Sequence, residues 1–349
     1  MKRGPIRSFF GWAGWCAWAG CVLWLVGRVV NDRFLWSQFV FWIPGWIAVG
    51  LSVTAVLLRR LGDAGAQRHG TRRRWFALVP AACAVFAVWE WRVWNFVRAA
   101  PTGSAVRIVA WNPATDFMDD FAQRVSGLAP SIVAIANRPA HTKWDVIKSA
   151  VGGSGGMVRD GRLSLVSRFP VVRWGFSPLN ITGSRPQLST WRGGSLVSID
   201  RGEALFAELD TTAIWGRPTV IWLVDLPSDP LIPRWRMFGQ AAATLSAYRG
   251  PVYRADGERE SIDGFPPPDI VLGDFNTPRG SESIRRLVGD LGDAHARAGV
   301  GPAPSWPRRR PVLGINHTFV RRPLSVLRYR VVDMGAGQHL AQITDLADR

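Results

Sequence analysis

Apolar residues fill most of the first hundred positions in long runs, and beyond them they come in short runs of about four to eight. Residues 9–30 carry no charge until Arg28, residues 34–58 carry none at all, and 75–97 are apolar apart from Glu90 and Arg92. Runs of this length match the ~20 residues a helix needs to cross a bilayer core. A membrane region over 1–98 is therefore expected, with three spans at 9–30, 34–58 and 75–97. Trp36, Trp42, Trp75, Trp91 and Trp94 lie toward segment ends, where interfacial aromatics sit. A cleavable signal peptide fits poorly, because two further runs follow the first.

Past a linker expected at 99–105, with Pro101 and Gly103, the pattern becomes that of strands. RIVAWN (107–112), PSIVAIAN (130–137), LSLVSRFP (163–170) and TVIWLVDL (219–226) are β-branched, apolar runs stopped by turn residues. Arg234–Tyr248 reads as a helix with Gln240 near its middle. The most informative stretch is DIVLGDFNTP (269–278). Its strand ends at Gly273, so Asp274 and Asn276 emerge together at a C-terminal lip, where α/β enzymes gather reacting groups. Taken alone, Asp-x-Asn reads equally as an Asx-turn that stops a strand.

Charge adds an orientation and a class of partner. The formal net charge is +17, with 13 basic against 3 acidic residues up to position 99 and 30 against 23 after it. Such a surface suits anionic partners: nucleic acid, lipid headgroups or another phosphate-containing ligand. A basic, arginine-rich proteome would give the same excess. Lys2, Arg3 and Arg7 precede the first span, and Arg59, Arg60, Arg68, Arg72, Arg73 and Arg74 outweigh Asp63 between the second and third. The positive-inside rule then keeps both segments in the cytoplasm and puts the C-terminal domain on the extracytoplasmic side of the lipid bilayer. Glu90 and Arg92 are the costly residues of the third span. Were that segment to lie on the surface, the domain would be cytoplasmic. Cys16, Cys21 and Cys83 all fall within the spans, so residues 106–349 hold no disulfide, thiolate or cysteine–metal chemistry. Phosphate-loop, nucleophile-elbow and zinc-protease motifs are missing from the sequence.

The order of VLGDFNTP, LVSRFP, PSWP (304–307), INHTFV (315–320) and GQHLAQITDL (337–346) resembles the endonuclease/exonuclease/phosphatase superfamily from about Val106 to the C-terminus. The resemblance implies an α/β, DNase I-like four-layer sandwich of two β-sheets flanked by helices. It also implies a metal-dependent phosphodiesterase or phosphatase using magnesium or manganese, with no metal needed if the chain is inactive. Asn112 matches the family's first asparagine at the metal or phosphate. Asn137 stands where the family has its principal metal-binding Glu, and Asp225 where a phosphate-contacting His is common. Asp274 matches the water-activating Asp and Asn276 its phosphate-binding neighbour. Asn316, before His317, replaces the Asp that orients the last histidine. Gln338 replaces a metal-binding Asp, and His339 matches the phosphate-contacting His.

Three carboxylates have thus become amides, which fit the same space without the charge that holds a hard cation. His339, without its carboxylate orienter, is expected to favour the neutral form. One reading is a non-catalytic relative that binds an anionic ligand or a protein partner at the cell envelope. Another is an active phosphoesterase in which Asp225 and Asp274, on strands expected to neighbour each other, share the metal. A third is a membrane-bound scaffold. Arg308, Arg309 and Arg310, with Arg321 and Arg322, would bind phosphate at the groove rim or form a solvated basic surface. Asp116, Asp119 and Asp120 read as solvated loop charges, His69 as part of the basic loop, and His141 and His295 as surface residues.

Overall fold

The computed structural model describes residues 5–63, 70–97, 105–114, 120–139, 142–153, 155–191 and 194–348. The linker expected at 99–105, apart from its last residue, lies outside these, as do His69, Asp116, Asp119 and His141. The chain divides into two compact units, Met1–Trp94 and Asn95–Arg349.

The first unit is helical: α1 (Pro5–Val30), α2 (Leu35–Phe41), α3 (Gly45–Asp63) and α4 (Gly70–Glu90), then a 3-10 turn at Val93–Val97. The expected span over 34–58 is not one helix. Proline lacks an N–H, clashes with the carbonyl four residues back, and keeps the residue before it out of the helical region, so the backbone breaks before Pro44. Two carbonyls near the break find donors on α1. The Arg28 guanidinium donates to the carbonyls of Phe41 and Ile43, and the Trp24 indole N–H donates to Ile43 at 3.0 Å. Arg28 also lies 3.1 Å from the Glu90 carboxylate. The third expected span is shifted: α4 covers Gly70–Glu90 and stops short of 97, and its apolar part, Phe76–Glu90, is shorter than those of α1 and α3. Among the described residues two helices are long and apolar enough to cross a membrane, Ser8–Val30 and Gly45–Gly62.

The second unit carries sixteen strands among its described residues. They are β1 (Val106–Trp111), β2 (Ile132–Ile135), β3 (Met157–Asp160), β4 (Leu163–Ser167), β5 (Val171–Pro178), β6 (Gln187–Trp191), β7 (Gly194–Ser198) and β8 (Glu203–Leu209). Then come β9 (Thr219–Asp225), β10 (Pro251–Arg254), β11 (Arg259–Ser261), β12 (Ile270–Asp274), β13 (Gly292–Asp293), β14 (Asn316–Val320), β15 (Ser325–Val332) and β16 (Ala341–Ala347). The helices are α5 (Phe121–Ser126), α6 (Trp144–Val151), α7 (Thr212–Trp215), α8 (Arg234–Ser246), α9 (Arg285–Val288) and α10 (Ala294–Ala298).

One sheet has the order β15-β16-β1-β2-β4-β3 and the other β11-β10-β5-β8-β9-β12-β14-β13, with β6 and β7 forming a separate hairpin. Among the described strands, only β1–β2 and β9–β12 pair parallel. Side chains alternate with period two, which divides each strand between two cores. Ile108 and Ala110 of β1 face Ile221 and Leu223 of β9 across the inter-sheet core. Trp222 and Val224 turn outward onto Met237, Phe238 and Ala241 of α8. On the opposite flank, Trp111, Val133 and Ile135 pack against Phe121 of α5 and Ile147 of α6. Helices, sheet, sheet and helices therefore stack as the DNase I-like α/β sandwich that the motifs imply.

Candidate functional site

Register assembles the site. β8, β9, β12 and β14 are neighbours, and Glu203 pairs with Asp225, Asp225 with Asp274, and Asp274 with Asn316. Four polar side chains thus form one row across one end of the larger sheet. Gly273 lets β12 lie this close to β9: its φ is +135°, and a Cβ there would fall 2.0 Å from the Val224 carbonyl oxygen. The other sheet closes over the row from loops after β1 and β2 and before β16.

Asp274 is buried and surrounded by donors. Its Oδ2 accepts from the Asn112 amide at 2.6 Å and lies 3.5 Å from Nδ1 of His339, while its Oδ1 accepts from the Asn276 backbone N–H at 2.9 Å. Asn112 is fixed in this sense because its own Oδ1 accepts from the Ala114 N–H at 2.8 Å. Turning the amide over would set oxygen against oxygen. On Asp225, Oδ2 accepts from the Asn137 amide at 2.9 Å and forms an ion pair with Nη2 of Arg162 at 3.3 Å. His339 Nδ1 meets Asn316 Oδ1 at 3.0 Å, and its backbone carbonyl accepts from the Trp111 indole at 2.9 Å. An amide oxygen can only accept, so Nδ1 carries the proton.

Burial sets the protonation of this group. It pushes Asp274 above the usual carboxylate range, against His339 and the N–H groups of Asn276 and Asn112. It pushes Asp225 further up, with Arg162 opposing and the Asp274 charge reinforcing. Two buried carboxyls on adjacent strand ends hold a proton between them more readily than either would alone. Burial lowers His339 below the usual imidazole value, and Asp274 only partly restores it, so the ring is neutral at pH 7.

Asn112, Asn137, Asp225, Asp274, Asn316 and His339 are therefore brought together. Asn276 sits at the lip but donates its amide to the Leu226 carbonyl at 2.6 Å. Gln338 is exposed, and its carbonyl accepts from the Arg308 N–H at 2.7 Å. The Arg308 side chain is tied to Asp333 at 3.2 Å and to the Gly337 carbonyl at 3.0 Å, while Arg309 and Arg310 are exposed. Arg321 and Arg322 do not join this rim. They follow Val320, the end of β14 opposite Asn316, and Arg321 binds the Pro268 and Asp269 carbonyls instead. His295 is not a surface residue. It is buried, with Nε2 2.8 Å from the Gly301 carbonyl. Asp120 is exposed and paired with Arg124 at 2.6 Å.

Reading the sequence missed three residues of the site: Arg162, Asp200 and Glu203. Arg162 Nη2 lies 3.0 Å from Asp200, and its Nε lies 3.4 Å from Glu203. Burial pulls Arg162 down, but Asp225, Asp200 and Glu203 outweigh it and keep it charged. A Glu at the start of a strand opposite a strand-end Asp was the available signal, and it needs the register to be seen.

The donor set does not fit the metal that the resemblance implies. Three of the oxygens that would bind the ion already accept from the Asn112 and Asn137 amides and the Asn276 backbone N–H, the Arg162 guanidinium stands against Asp225, and asparagine presents nitrogen, not oxygen, to both carboxylates. No group of three or more His, Cys, Asp or Glu poised to hold a metal occurs among the described residues.

No family model and no curated protein matches the sequence. Solved structures similar to this chain include an endonuclease/exonuclease/phosphatase from Beutenbergia cavernae, at 17% identity and TM-score 0.46, covering 70% of this chain and 72% of that one. The 2',3'-cyclic phosphatase ANGEL2 is similar at 10% identity and TM-score 0.45, over 69% of this chain and 95% of its own. TDP2 from C. elegans is similar at 12% identity and TM-score 0.42, over 83% and 84%. Nothing beyond the fold passes to this chain from such identities. Its own sheet order and strand-end register define the DNase I-like class.

Proposed function

We propose that this chain is a membrane-tethered protein with a DNase I-like domain that has given up metal-dependent phosphoester hydrolysis and serves as a binding module for an anionic, phosphate-containing ligand. One observation carries the reading: three of the four oxygens of the strand-end carboxylates Asp225 and Asp274 already accept from N–H donors of the chain itself, and the Arg162 guanidinium stands 3.3 Å from Asp225. A hard cation would have to displace three such hydrogen bonds and one ion pair and gain two carboxylates with no third charge from Asn137 or Gln338. The exposed Arg309 and Arg310, beside the half-exposed Trp306, offer the anion a surface at the rim that uses none of these groups.

A second reading keeps hydrolysis. Asp225 and Asp274 are paired in register with a neutral His339 beside them, an arrangement able to hold and move a proton. The purified full-length chain, assayed on phosphodiester and phosphomonoester substrates with magnesium or manganese, separates the two. We expect no turnover above that of Asp274→Asn. A wild-type rate ~100-fold or more above that variant, the usual scale of general-base loss, would establish the hydrolase.

For the tether, the reading takes α1, α3 and α4 as three crossings that leave the domain outside. α4 is short in apolar residues, but its 21 residues extend ~31 Å, close to a bilayer core. Cys83 and Phe76 pack it into the cores of α1 and α3, and its Glu90 meets Arg28 instead of lipid. A reporter fused after Arg349 should be active only outside, and one inserted near Gly65 only in the cytoplasm. Activity of both on one side would refute three crossings.

A further inference from the structure

The row of strand-end carboxylates contains a cation that the chain supplies. Arg162 sits in the turn between β3 and β4 of the smaller sheet and reaches across to the larger one. Its Nη2 lies 3.0 Å from Asp200 and 3.3 Å from Asp225, its Nε 3.4 Å from Glu203, and its backbone N–H donates to Glu203 at 2.8 Å. The turn is shaped for this reach. Gly161 has φ +49°, and a Cβ there would lie 2.6 Å from both the Glu203 carboxylate and the Phe176 ring. Arg138 clamps the turn through the carbonyls of Gly161 and Leu163. Asn137, at the position the resemblance gives to the principal metal ligand, donates to the same Asp225 oxygen that Arg162 touches.

We infer that Arg162 is the resident cation of this site: its guanidinium is the counter-charge that Asp200, Glu203 and Asp225 share, and it shuts divalent ions out. Three carboxylates around one point are held together only by positive charge, because like charges out of bulk water repel strongly. A guanidinium fixed to the chain supplies that charge permanently, with planar N–H groups that reach several carboxylates at once. The lost Glu at position 137 then has a physical consequence. A fourth carboxylate would add negative charge to a group in which one arginine already faces three carboxylates, whereas an amide donor adds a hydrogen bond and no charge.

The inference rests on the reading that the metal shell is gone, and binding, not turnover, tests it. Manganese is titrated into the full-length chain in detergent, with free ion read from its paramagnetic resonance signal, for wild type, Arg162→Ala, Arg162→Gln and Arg162→Lys. The wild type and the Lys variant should bind more weakly than ~1 mM, the range of weak oxygen-ligand sites. Arg162→Ala should gain a site at least about tenfold tighter, since removing the guanidinium frees three carboxylates to close on an ion. Arg162→Gln keeps the length and loses the charge, so it should gain the site even if the alanine variant fails to fold. Failure of both neutral variants to gain manganese would overturn the inference and leave the binding-module reading standing. Equal tightness in the wild type, or a Lys variant that behaves like alanine, would also overturn it. Metal-free turnover by the wild type would overturn the binding-module reading alone.

Discussion

Replacing His317 with Gln should remove most of the second unit's loss of stability between pH 7.5 and pH 5. His317 lies on β14 next to the site residue Asn316 and is fully buried. Its Nε2 donates to the Thr277 carbonyl at 2.7 Å, and its Nδ1 has no hydrogen-bond partner among the described residues. A second proton would create a buried cation near Arg279. Burial and that arginine together pull the imidazole down to about 3, with Asp293 and the Thr277 carbonyl opposing. The folded value is thus below the unfolded one of ~6.5. Below pH 6.5 the unfolded chain takes up a proton that the folded chain refuses, so stability falls as pH falls. Over the 1.5 pH units from 6.5 to 5 this amounts to about 2 kcal/mol, at about 1.36 kcal/mol per unit. His339, also lowered by burial, adds a loss of the same sign. Asp225 and Asp274, raised by burial, have the opposite sign and are favoured by acid. The difference between wild type and His317→Gln therefore isolates one group, and Gln keeps an N–H for Thr277. Hydrogen exchange by mass spectrometry on peptides spanning β12 and β14, corrected for intrinsic rates, reads the opening free energy at each pH. Equal pH losses in the two proteins would refute the assignment.

Asp293→Asn should destabilise the same peptides by about 1–3 kcal/mol, because it removes the negative partner of the half-buried Arg279, which otherwise donates to the Tyr329 hydroxyl at 3.0 Å and the Asn316 carbonyl at 3.5 Å. Unchanged exchange would mean that Arg279 has another partner. Asn137→Glu with Gln338→Asp should tighten magnesium binding relative to a wild type weaker than ~1 mM, measured by calorimetry. Tight binding by the unmodified chain would show that other ligands hold the ion. Reversing Arg309 and Arg310 to Glu should abolish retention on anionic, phosphate-bearing vesicles, whereas Asp274→Asn should leave it intact. The reverse pattern in a flotation assay would place the ligand at the strand ends instead.

The fold could be read because strand runs and turn residues are local signals. IVLGD, TVIWLVD and LSLVS each became the strand that their β-branched pattern implies. Hydropathy was a weaker guide in the first unit. A window over 34–58 counts apolar side chains and is blind to the missing N–H of Pro44, which splits the run into α2 and α3. In the site, Asn112, Asn137, Asp225, Asp274, Asn316 and His339 could be named from motif order. Arg162 could not, because its partners lie 38 to 63 positions along the chain and meet it only through the pairing of β8 with β9. Asn137 also has a reason that no motif records. Its φ of +48° lies in the left-handed region, which asparagine tolerates better than glutamate does. Arg321 and Arg322 were misplaced because a five-residue strand carries the chain ~16 Å from Asn316.

The amides at the strand ends act as a fastening between the sheets. Asn112 and Asn137 leave β1 and β2 of the smaller sheet and donate to Asp274 and Asp225 of the larger one. Arg162, from the hairpin beyond β2, adds a third crossing contact, and His339 before β16 meets Asn316 as a fourth. Each contact satisfies a polar atom that would otherwise cost about 1–3 kcal/mol as an unpaired buried group. Had only Asn137 replaced a glutamate, Asp225 would still lack a counter-charge and would be an unpaired buried carboxylate. With Arg162 in place, the oxygen that accepts from the amide also faces the guanidinium at 3.3 Å, and the strand end has a counter-charge without an ion. The amides and the arginine are therefore one arrangement, and reverting either alone leaves a charge imbalance that the other was matched to.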